Sequence, residues 1–186
     1  MLKNIAPEII WKHFEKICSI PHPSKHEKKL GDYIVSFCNE LNLETLTDQV
    51  GNILVRKPAT SGMQHKKGIV LQAHIDMVPQ KNSHIIHNFE KDPIQPYIDG
   101  DRVTAKNTTL GADNGIGVAA TMAILESDDV AHGPLEALFT IDEETVMTGA
   151  LNLKGGMLKG EILLNMDTED DEIDIGCAGG IDVTAT

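Results

Sequence analysis

Three short apolar runs, GIVLQAHIDMV (68–78), LEALFTI (135–141) and EILLNMD (161–167), read as strands, and they interleave with segments of helical periodicity. Helices are expected over PEIIWKHFEKICSI (7–20) and EKKLGDYIVSFCNEL (27–41), from about Asn114 to Glu126, and briefly after Thr148. Strands alternating with helices favour an α/β fold, a mixed central sheet flanked by helices. Two hairpins fit the same plan: LETLTDQVGNILVRKP around Gly51-Asn52 and PYIDGDRVTA around Asp99-Gly100. Ser24-Lys-His-Glu27 has the spacing of a capping box for the second helix. The alternating tail EIDIGCAGGIDVTAT reads as a strand still in progress at Thr186, which suggests the N-terminal portion of a longer protein.

Composition narrows the function classes. With 41% hydrophobic residues in 186, a real core can be buried. A formal charge of −12, from 28 acidic against 16 basic residues, disfavours a phosphate-backbone partner, so nucleic acid is not expected. No run reaches the roughly 18 apolar residues of a membrane span, and MLKNIAPEIIWKHF lacks the apolar centre of a secretory signal, so no membrane partner is expected and a cytoplasmic location is the simplest reading. Cys18, Cys38 and Cys177 are odd in number and widely spaced, which fits buried small hydrophobes.

The ends of the apolar runs carry the chemistry. His74 and Asp76 are two apart, so strand periodicity sends both side chains to one side. Alone, such a pair is more readily a structural hydrogen bond at a strand end than a metal ligand with its orienting carboxylate. GADNGIG, around Asp113, resembles an anion cradle at a helix start, but a central carboxylate repels phosphate; Asn114 could equally serve as a plain helix cap. Asp142, Glu143 and Glu144 follow LEALFTI, and Asp167 closes EILLNMD; singly, each acid reads as solvated surface. Together, His74, Asp76, Asp113, Glu143, Glu144 and Asp167 lie at strand ends or a helix start, the edge where open α/β sheets bind ligands. One imidazole with several carboxylates suits Zn²⁺, Mn²⁺ or Co²⁺, and paired ions would point to hydrolysis.

The stretches IPHPSKHE, DQVGNILVRKPAT, VLQAHIDMV, HNFEKDPI, TTLGADNGIGVAA, LEALFTIDEE, LLNMDTED and IGCAGG, in this order, resemble the aminoacyl-histidine dipeptidase family of di-zinc metallopeptidases. The resemblance implies a zinc-exopeptidase-like catalytic domain, of which residues 1–186 would be the N-terminal part. It implies two Zn²⁺, with Co²⁺ or Mn²⁺ as substitutes: His74 and Asp167 on one ion, Glu144 on the other, and Asp113 bridging. Asp76 would orient His74, the Asp113–Asn114 peptide would be cis, and Glu143 would be the general base moving a proton from a metal-bridging water to the leaving amine. The implied substrate is a short peptide of Xaa-His type; a related N-acyl amino acid deacylase or aminopeptidase, or an inactive metal-binding module, are the alternatives. The family's second zinc also takes a distant His beyond an inserted lid domain, through which a homodimer would form. None of His13, His22, His26, His65, His84, His87 or His132 matches that ligand, so little activity is expected of these 186 residues alone. Asn107 stands where relatives often have Gly, a mild change because Asn tolerates the left-handed region.

Overall fold

The computed structural model describes residue 2, residues 5–168 and residues 173–176. Helices α1 (Glu8–Cys18) and α2 (Lys28–Glu40) come first. Strands β1 (Glu44–Thr47), β2 (Ile53–Lys57) and β3 (Ile69–His74) follow, then the hairpin β4 (Pro96–Asp99) and β5 (Arg102–Ala105). Helix α3 (Ala112–Glu126), strand β6 (Leu135–Thr140), the single-turn helices α4 (Glu143–Val146) and α5 (Thr148–Leu151), and strand β7 (Ile162–Asn165) complete the described elements.

Five strands form one sheet in the order β1-β2-β6-β3-β7. β1 and β2 are antiparallel, as are β2 and β6, whereas β6, β3 and β7 run parallel. Burial explains the order. All six residues of β6, Glu136 and Thr140 among them, are buried, as befits a central strand, while β1 and β7 carry mostly exposed positions and lie at the two edges. Helix α3 packs on β3 and against α1, and α2 packs on β1 and β2. Phe14 and Ile17 of α1, Leu30 and Ile34 of α2, Val118 and Met122 of α3, and Val55, Ala73 and Phe139 of the sheet share one core. Both expected hairpins form, with Gly51 at φ 113° and Gly100 at φ 63°, and Asn107 takes φ 66°.

Two local expectations change, and a third falls largely outside the described residues. The capping box is not made: α2 begins at Lys28, and neither Ser24 nor Glu27 caps it by a side-chain bond. Ser24 instead donates to Asp76 Oδ2 at 2.8 Å, a buried charged acceptor that outcompetes a helix-end amide. Helix α3 begins at Ala112 with a kink, because Asp113 (ψ 110°) and Asn114 (φ −106°) depart from helical values, and no side chain caps its start. The expected strand over the tail lies largely outside the described residues, as does Cys177; residues 173–176 are described and form no strand. Cys18 and Cys38 are buried free thiols, and burial pushes each up to about 12.

Candidate metal centre

Parallel pairing brings the site together. In the ladder His74 stands opposite Thr140 of β6, and Gln72 stands opposite Asn165 of β7. Continuing that register by two residues sets Asp167 level with His74. The chain leaving β6 reaches Asp142, Glu143 and Glu144 at the same edge, and the loop into α3 delivers Asp113 there. Sites at the carboxyl ends of parallel strands arise in this way, because the strands stop and their loops fan out together.

His74 is the floor of the site, with its side chain 1% exposed. Its Nδ1 lies 3.2 Å from Asp76 Oδ1 and 3.1 Å from the Asp76 main-chain oxygen, so this nitrogen carries the proton and Nε2 faces the opening. Around Nε2 stand Asp113 Oδ1 at 2.9 Å, Asp167 Oδ2 at 3.6 Å and Glu143 Oε2 at 3.9 Å. Ligand atoms of His74, Asp113 and Glu144 lie within 4.8 Å of one another, and so do those of His74, Glu143 and Asp167. The Asp113 side chain is 52% exposed, so the carboxylate side of the site opens to solvent. The Asp113–Asn114 peptide is cis.

The electrostatics of this group favour a cation. Burial works against a charged His74, but the hydrogen bond to Asp76, the charges of Asp167 and Asp76 and the hydrogen bond to Asp113 prevail and raise its imidazole to about 9. Burial likewise opposes ionisation of Asp76, yet the His74 contact, the Glu143 and Glu144 amides and the Ser24 hydroxyl bring it down to about 2. Glu144 is raised by burial and by neighbouring Asp113, and Asp167 by burial and its contact with Asp113. Carboxylates that hold one another's pKa up are a site awaiting positive charge. The donor set therefore fits a divalent ion. Oxygens and one imidazole nitrogen already lie at mutual distances a single cation can bridge.

The sequence reading missed several residues that build this site. Asp142 had no assigned role and looked like surface punctuation; it is 3% exposed, and its carboxylate accepts the hydroxyls of Thr145, at 2.5 Å, and Thr148. Asn52, expected only as a turn residue, donates to Asp48 and to the Gly149 carbonyl, and its Oδ1 accepts the Ile141 amide. It thereby ties the hairpin to both ends of the acidic segment. Glu27, expected in a capping box, accepts the Asp142 amide at 3.1 Å. Gly117 is the one signal that was available in advance: a Cβ there would strike the Asn114 side chain and come within 2.9 Å of Met166 Cβ, so the GIG of the loop marks a close approach.

The chain is similar to known proteins over most of its length. Over 185 residues the chain is 57% identical to the cytosol non-specific dipeptidase of Escherichia coli (strain K12), covering 99% of this chain and 38% of that protein. The crystal structure of an aminoacylhistidine dipeptidase from Vibrio alginolyticus superposes with a TM-score of 0.90 at 58% identity, over 92% of this chain and 35% of that one. A tripeptidase from Staphylococcus aureus shares the fold at 19% identity, with a TM-score of 0.74 over 88% of this chain and 44% of that one. The chain thus spans less than two fifths of the length of its two most similar relatives cited here. The model of peptidase family M20/M25/M40 matches residues 70–179, from within β3 to beyond Asp167, and the chain belongs to that family.

Proposed function

We propose that this chain carries the catalytic face of a metal-dependent dipeptidase acting on short unblocked peptides, Xaa-His among them. The supporting observation is the gathering of Asp113, Glu143, Glu144 and Asp167 around the single free nitrogen of His74. His74, Asp113, Glu144 and Asp167 would hold two zinc ions, Asp113 between them, with Co²⁺ or Mn²⁺ as substitutes. Bound ions of this kind supply Lewis acidity, which lowers the pKa of a water and polarises a carbonyl.

The remaining work falls to the protein's own groups. Asp76 keeps the His74 proton on Nδ1 and so leaves Nε2 as the donor to metal. Glu143 is the proton shuttle: it takes a proton from the attacking water and returns it to the nitrogen of the leaving residue. Its side chain is one third exposed, so it can reach both, and its Oε2 stands close to His74 without a fixed partner of its own among the hydrogen bonds of the described residues. Glu144 is a ligand and must stay ionised, which a cation ensures by reversing the upward shift that burial causes. A cytoplasmic location suits this role, and no helix among the described residues is long and apolar enough to cross a membrane.

The test is release of free histidine from Xaa-His dipeptides by the whole polypeptide that bears these residues. Hydrolysis that depends on added Zn²⁺ or Co²⁺, with N-acyl amino acids left intact, is expected. Cleavage of N-acyl amino acids in preference to dipeptides would replace this reading with that of a deacylase.

A further inference from the structure

The two adjacent acids of the site, Glu143 and Glu144, are placed by the main chain that carries them. Asp142 takes a left-handed conformation (φ 52°, ψ 45°) and α4 begins at the next residue. Successive amides in such a turn form a concavity that binds anions. Here the anions come from the protein. Glu143 N–H donates to Asp76 Oδ1 at 2.9 Å and Glu144 N–H to Asp76 Oδ2 at 3.2 Å, while Asp142 N–H donates to Glu27 Oε1 at 3.1 Å. Asp76 thus holds the imidazole through one contact and both acids through two others.

Glu27 has no place in the reaction, yet it is 5% exposed and sits 115 residues away in the chain from the amide it accepts. The same oxygen accepts the Lys25 amide at 2.8 Å, where Lys25 is itself left-handed at φ 73°. Carboxylate oxygens of Glu27, Asp76 and Asp142 lie within 4.8 Å of one another, all three buried. Burying a carboxylate is costly unless its oxygens are used, and Glu27 uses one oxygen to join the turn before α2 to the residue that precedes Glu143.

We propose that Glu27 is a positioning residue, whose carboxylate oxygen fixes the Asp142 amide and so sets where Glu143 and Glu144 stand relative to His74. Its catalytic meaning rests on the metal-peptidase reading above, but the contact itself can be tested without metal. Amide hydrogen exchange of the metal-free chain and Co²⁺ titration followed by visible absorption are measured for Glu27→Asp and Glu27→Gln. Aspartate keeps the charge but is one methylene too short. It is expected to speed exchange at residues 142–144 by about tenfold or more while leaving β3 and β6 protected. It should also weaken Co²⁺ by about tenfold, with an altered absorption spectrum, the effect expected when support behind a ligand is lost. Glutamine keeps an acceptor oxygen at the same reach and is expected to restore both.

Exchange at 142–144 unchanged in Glu27→Asp would overturn the proposal. So would equal acceleration across β3 and β6, which marks general destabilisation, or a Glu27→Gln variant as impaired as Glu27→Asp. If the unaltered chain takes up no Co²⁺, the metal reading fails, and the exchange measurements still decide the role of Glu27.

Discussion

Glu143 and Glu144 are neighbours in sequence to which the proposed mechanism gives separate tasks. Burial and the Asp113 charge raise Glu144, so on that proposal a cation would keep it ionised as a ligand, while Glu143 would be the group that gains and loses a proton. Replacing Glu143 by Ala is expected to cut dipeptide turnover by roughly 10²–10⁴-fold while bound zinc, measured by atomic emission, is unchanged. Glu144→Ala is expected to lose zinc as well as activity. If Glu143→Ala is the variant that loses metal, the two roles are exchanged. Both acids were visible in the sequence because they follow an apolar strand directly. Asp142 beside them was not, since nothing local distinguishes a carboxylate that will meet two threonine hydroxyls in the interior from one that will meet water.

At the level of elements, the segment after β6 is tied at its two ends, at Ile141 and Gly149, by Asn52. Gly149 packs so closely on it that a Cβ would come within 2.7 Å of both the nitrogen and the oxygen of Ile141 and would strike the Asn52 amide. Because the clash is with backbone, Gly149→Ala is expected to cost about 1–3 kcal/mol in urea unfolding, the range for overpacking. It should also weaken metal binding, because Ile141 leads straight into the acidic segment. A wild-type unfolding midpoint would refute that account. At the opposite end of the sheet, Glu136 is 5% exposed in central β6. Burial alone would raise it, but the Lys159 and Gly160 amides and the Arg56 guanidinium, at 3.0 Å, hold it below the usual range. A depressed carboxylate stabilises the fold above its unfolded pKa of about 4.3, and that contribution is lost as pH falls through the lower folded value. The stability advantage of wild type over Glu136→Gln is therefore expected to be full near pH 7 and to shrink below about pH 4, as read from paired denaturation curves. An advantage independent of pH would rule this out.

For the molecule as a whole, the proposed metal chemistry turns on one nitrogen. Both ligand clusters centred on the site draw on His74, and its Nδ1 is committed to Asp76, so a single Nε2 serves them. On the proposed two-ion reading, one ion would take that nitrogen and the other would have carboxylates alone among the described residues. Titration of these 186 residues with Zn²⁺ is expected to show one tight site and a second at least about tenfold weaker, with dipeptide turnover below about 1 s⁻¹. Two equal sites, or faster turnover, would show that the chain is sufficient by itself.

The sequence by itself determined the α/β class and the two hairpins, and it supplied the candidate ligands that the proposal uses. Each of these depends on local information: apolar periodicity, turn residues, and acids or an imidazole placed where an apolar run stops. Tertiary structure alone decided that Ser24 turns to Asp76 instead of capping α2, that Glu27 crosses to the Asp142 amide, that Asn52 ties the hairpin to the acidic segment, and that Asp142 is interior. The physical reason is competition for partners. A short polar side chain near a helix start has a local acceptor or donor within reach, and only when the sheet is assembled does a buried charge from a distant part of the chain offer a stronger one.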